Sequence, residues 1–111
     1  MKLLIAGSRS IQQFDLTPYI PVETDCIISG GANGIDSLAE KYADRHRLSK
    51  IILRPQYHLY KRNAPLMRNK RMVEWADTVL IVWDGASKGT RHTMEYAQKL
   101  NKPVILVQIN P

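Results

Sequence analysis

A chain of 111 residues with 44% hydrophobic side chains suits one domain around one core. Its lone cysteine, Cys26, excludes an internal disulfide, and its apolar runs are too short for a signal peptide or membrane span, so a cytoplasmic protein is expected. The formal net charge of +6 is local: between Lys41 and Arg71 ten basic residues oppose the single Asp44, which reads either as a solvated face or as a field that draws nucleotides or nucleic acid.

The first element is the apolar run Lys2 to Ala6, stopped by Gly7-Ser8-Arg9. Uninterrupted runs of this kind predict strands covered on both faces, as in parallel sheets. Cys26–Ile28, Ile51–Leu53, Thr78–Trp83 and Val104–Val107 repeat the pattern, and helical patterns alternate with them. The rhythm predicts an α/β fold, an open sheet of about five parallel strands with helices on both sides. Within the second run, Cys26 reads as a small buried hydrophobe.

The first crossover, Ser10 to Pro21, contains Pro18 and Pro21, so its helix is short, with Thr17 as cap and Pro18 in first position. After the second strand comes Ser29-Gly30-Gly31-Ala32-Asn33-Gly34-Ile35-Asp36. This reads as a glycine loop feeding a helix N-terminus. Glycine allows close backbone approach, and the first helical amides suit an anion. The loop is neither a P-loop nor a dinucleotide fingerprint. The helix carries an apolar stripe of Ile35, Leu38, Ala39, Tyr42 and Ala43. Asp36 in its first turn either complements the dipole or faces ribose hydroxyls or a reacting centre.

A further helix is expected from Ala64-Pro65, with Met72, Val73 and Ala76 as its stripe. Asn69 falls on that stripe and needs partners for its amide, from a loop or from a ligand. Arg68 beside it opposes the dipole unless an anion is present, which makes it a candidate phosphate contact. Strand Thr78–Trp83 ends in Asp84-Gly85-Ala86-Ser87-Lys88-Gly89-Thr90, a second glycine loop leading to a helix with the stripe Thr93, Met94, Ala97 and Leu100. Glu95 lies off that stripe, four residues after Arg91, and suits a solvent-facing ion pair. Asn101-Lys102-Pro103 ends the helix.

Together, Gly7-Ser8-Arg9, the G-G-A-x-G-x-D element Gly30–Asp36, the R-N-x-x-M element Arg68–Met72, and Gly89-Thr90 resemble the SLOG superfamily. That superfamily includes the DNA-processing protein DprA and the Lonely-Guy phosphoribohydrolases, and the resemblance is nearest to its cpYpsA/YspA-related branch. It implies a single Rossmann-like three-layer domain, a homo-oligomer, and a nucleotide or nucleotide-derived ligand at the carboxyl ends of the strands. By similarity, Gly30, Gly31, Gly89 and Thr90 would take the phosphate, with charge from Arg9 and Arg68. The wider expected ligand set adds Gly7, Ser8, Ser29, Gly34, Asp36, Asn69, Asp84, Gly85 and Ser87. Charge-assisted hydrogen bonds contribute roughly 1.5–3 kcal/mol each, against about 8 kcal/mol for micromolar affinity, so several loops must converge.

The function stays open between a binding module and an enzyme. Lonely-Guy enzymes cleave the N-glycosidic bond of nucleoside 5′-monophosphates with an arginine and a glutamate. Arg68 matches the arginine, but His92 stands where the glutamate would follow, and Asp36, Asp84 and Glu95 remain as carboxylate candidates. The DprA resemblance points instead to single-stranded DNA, with Tyr57, Tyr60, Arg62 and Arg68 in contact; the alternative for the two tyrosines is cover for the edge of the core. The three histidines, His46, His58 and His92, show no metal-ligand spacing, so neither a metal nor a cofactor is expected.

Overall fold

Residues 1–109 are described by a computed structural model, in which five parallel strands run β1 (Lys2–Gly7), β2 (Cys26–Ser29), β3 (Ser49–Ile52), β4 (Thr78–Trp83) and β5 (Val104–Gln108). They pair in the order β3-β2-β1-β4-β5, so the chain works outward from β1 to β3 and then crosses back to β4. The place where direction reverses lies between β1 and β4, which pair from Leu3–Thr78 to Gly7–Val82. Backbone bonding there is complete, while the connecting loops leave on opposite sides and open a crevice at the strands' carboxyl ends.

Alternate residues of the central strands feed two cores. Leu3, Ile5, Ile27, Leu80 and Val82 pack with Ile35, Ala39 and Ala43 of helix α1 (Ile35–Arg45). On the other face, Leu4, Ala6, Ile28, Val79 and Ile81 meet Met72 and Val73 of helix α3 (Ala64–Trp75) and Ala97 of helix α4 (Lys88–Lys99). A single turn, α2 (Tyr57–Tyr60), precedes α3. The result is a Rossmann-like α/β domain of three layers. Among the described residues no helix is long and apolar enough to cross a membrane.

Several expectations change. β3 and β5 are not covered on both faces; they lie at the edges of the sheet, where Leu106 is 46% exposed. An apolar run does not distinguish a central strand from an edge one. The first crossover holds only a 3-10 turn over Thr17–Tyr19, with Leu16 rather than Thr17 at the cap position. Asp15 accepts the Thr17 amide at 3.0 Å and takes over the capping role. Helix α4 begins at Lys88, so Gly89 and Thr90 belong to its first turn. Its stripe stops before Leu100, which is exposed. Cys26 is only partly covered, and that partial burial pushes its thiol up.

Candidate functional site

The carboxyl ends of β1, β2 and β4 converge on a cleft of about 380 Å³. Gly7 and Arg9 reach it from β1, Asp36 from α1, Arg68 and Asn69 from α3, and Asp84, Ser87, Gly89 and Thr90 from the β4–α4 corner. These are the loops expected to meet. A second hollow of about 250 Å³ adjoins the cleft, sharing Arg9, Ala32 and Arg68 with it, and has Gly30 and Gly31 in its wall.

The β2–α1 corner is packed with the protein's own groups. Gly31 donates its amide to Ser29 Oγ at 3.2 Å, and Ala32 donates to Asp36 Oδ2 at 3.2 Å. The Ile35 amide turns to Ser8 O at 3.4 Å. Gly31 and Ala32 therefore do not present free amides to a phosphate. Two glycines here are required by space. A Cβ on Gly34, whose φ is +74°, would stand 2.5 Å from Ser8 O and 2.6 Å from Arg9 O. One on Gly30 would stand 2.7 Å from Arg68 Nη1 and 2.8 Å from Asp36 Oδ2. Gly34 lets the β1 loop lie against α1, and Gly30 makes room for the two charged side chains. Ser29 is fully buried beneath the loop, giving its hydroxyl to Glu40 at 3.1 Å.

Arg68 is the hub. Only 8% exposed, it donates Nη1 to Gly30 O and, at 3.4 Å, to Leu53 O, and Nε to Asn69 Oδ1 at 2.7 Å. Asn69, expected to seek a loop or ligand, thus orients the arginine. Nη2 has no hydrogen-bond partner and the guanidinium no carboxylate in contact among the described residues. Burial lowers the Arg68 pKa, an effect opposed by the charge of Asp36. Burial in turn raises that of Asp36, against the Ala32 amide and the Arg68 charge. Arg9 is exposed and makes no hydrogen bond or ion pair among the described residues. The cleft therefore holds one free cation, Arg9, and one buried cation, Arg68, whose nearby carboxylate Asp36 is not in contact with it.

The β4–α4 corner is built around Asp84. Its Oδ1 accepts the Ala86 and Ser87 amides at 2.8 Å each, and its Oδ2 accepts the Ser10 hydroxyl at 3.1 Å. These donors hold the carboxyl at about 2. Ser8 Oγ, buried, accepts the Asp84 amide at 3.0 Å and so ties β1 to this corner. The first helical amides of α4, those of Lys88, Gly89 and Thr90, have no acceptor among the described residues. A Cβ on Gly89 would meet nothing within 4 Å, so the backbone there faces open space.

Five expected residues line neither the cleft nor the hollow: Ser8, Ser29 and Gly34, which are buried in the packing of the loops, and Gly85 and Glu95. Gly85 is exposed, with Gln108 as its neighbour. Glu95 faces solvent and pairs with Arg91 at 3.8 Å, which removes it from the carboxylate candidates. Ser10, Pro65, Met72 and Thr93 also line the cleft and were not anticipated: Met72 and Thr93 read as stripe residues of the core, Ser10 as the start of a crossover and Pro65 as a helix start. Tyr57 is not cover for the core edge: it is 57% exposed and lines the second hollow.

No family model and no solved structure matches the chain. A protein of Mycobacterium phage D29 named "Gene 61 protein" is 36% identical over 85 residues, covering 71% of this chain and 68% of the phage protein.

Proposed function

The chain belongs to the family of the Gene 61 protein of Mycobacterium phage D29, and for this member we propose that the cleft binds a nucleotide or nucleotide-derived ligand. The observation that carries the reading is the Arg68 guanidinium, buried in the wall of the cleft with a free Nη2 and no carboxylate in contact among the described residues. A ligand phosphate would supply the direct charged contact that Arg68 lacks, aided by Arg9 and the open first turn of α4. Asp36, whose carboxyl is pushed up by burial and which lines the same cleft, would hydrogen-bond ribose hydroxyls. The SLOG resemblance points to the same ligand class.

The test is thermal unfolding of the protein with a panel of nucleoside 5′-monophosphates and with inorganic phosphate. At one hundred times the dissociation constant a ligand adds about 2.7 kcal/mol, a shift of several degrees for a domain this size. The shift is expected in the native protein and absent in Arg68→Met; an equal shift in both removes Arg68 from the site.

A hydrolytic reading has one specific support: Asp36 and Asp84 both line the cavity that holds Arg68. A carboxylate near the anomeric carbon stabilises an oxocarbenium-like transition state or activates water. Release of free base from a nucleoside monophosphate, lost in Asp36→Asn, distinguishes an enzyme from a binding module.

A further inference from the structure

The cleft continues past its arginines. Adjoining it at Arg9 and Arg68 is the second hollow, lined also by Pro55, Tyr57, Gly31 and Asn33. Its chemistry differs from that of the main cleft. The nearest further cation, Arg54, already donates to Gly31 O at 3.2 Å. Tyr57 and the Arg68 hub line the same hollow. Its hydroxyl has no hydrogen-bond partner and its ring no aromatic partner among the described residues. An exposed aromatic ring and a proline in one hollow with two arginines suit a flat heterocycle attached to an anion.

We propose that Tyr57 forms a stacking platform in this second hollow for the base of the bound nucleotide, while its phosphate lies across Arg9 and Arg68 towards α4. The inference rests on the nucleotide reading and deepens it by giving the ligand a direction. A second phosphate in the hollow is disfavoured by the uncharged wall of Pro55 and Tyr57. A base there gains stacking on the tyrosine and a guanidinium edge from Arg9. Affinity then depends on the ring and little on the tyrosine hydroxyl.

The experiment compares ribose 5-phosphate, which lacks a base, with the nucleoside 5′-monophosphates, on native protein, Tyr57→Leu and Tyr57→Phe. Tyr57 is exposed, so the variants are expected to fold as the native chain does. At least one monophosphate should bind the native protein roughly ten-fold or more tightly than ribose 5-phosphate. Tyr57→Leu should lose that advantage and keep ribose 5-phosphate affinity, and Tyr57→Phe should retain both. A leucine variant that keeps the advantage, or a native protein that binds ribose 5-phosphate as well as every monophosphate, overturns the base platform alone. A native protein that binds neither class overturns the phosphate site and the platform with it.

Discussion

The β2–α1 and β4–α4 corners look alike in sequence, each a strand running through glycines into a helix, yet they are built to different ends. In the first, Cβ atoms on Gly30, Gly31 or Gly34 would collide with Arg68, Asp36, Arg54, Ser8 or Arg9. Its glycines exist so that other parts of the protein can come close. In the second, Gly89 has nothing within 4 Å of its absent side chain, and the amides of the helix start are free. Glycine beside packed atoms serves the fold, whereas glycine beside empty space in a cleft leaves room for something from outside. Of the two corners expected to share the anion, the proposed reading keeps the second, whose Gly89 and Thr90 line one cleft with Arg68.

The sharpest way to break this contrast is Gly34→Val. A left-handed φ at a β-branched residue costs about 1–3 kcal/mol, and the collision with two backbone carbonyls adds to it. The variant should lose about 3 kcal/mol or more in chemical denaturation, enough to leave much of a marginal domain unfolded. Stability near that of the native chain would mean the β1 loop does not need to lie against α1.

Acid should loosen the second corner before the first. The folded pKa of Asp84 is depressed to about 2, below its unfolded value, so its contribution is present above about pH 4 and fades as the pH falls towards 2. Asp84→Asn should flatten the acid limb of the stability profile in that window. An unchanged limb would show that its bonds to Ala86 and Ser87 do not hold the loop.

The smallest expected effect on the free protein comes from Gly89→Ala. Alanine favours helix over glycine, so stability should be unchanged or rise by up to about 0.5–1 kcal/mol. Binding of a nucleoside monophosphate should weaken, because the methyl enters the open first turn. Undiminished binding in thermal-shift titrations would place the ligand away from α4.

Much of this arrangement is legible along the chain. Unbroken apolar runs marked the five strands, and the stripe of Ile35, Ala39 and Ala43 marked α1 in its true position. The convergence of Gly7–Arg9, Asp36, Arg68 and Gly89–Thr90 followed once the strands were parallel, because all such loops leave from one end of the sheet. Other features had no local signal. The place of Arg68 near the start of α3 marked it as a phosphate candidate but not as buried; it is buried because Gly30, from a distant loop, leaves space for it. Tyr57 sits in a one-turn helix too short to have a periodicity of its own.

The order of apolar and polar residues was enough, by itself, to determine an α/β sheet with glycine corners and a basic middle segment, because periodicity and composition act over a few neighbouring positions. Tertiary structure alone decided which glycines are filled against, which arginine is buried without a carboxylate in contact, and that Asp36 turns in. Those outcomes depend on atoms brought together from opposite ends of the chain, where close packing and the cost of an unpaired charge, rather than local preference, select the arrangement.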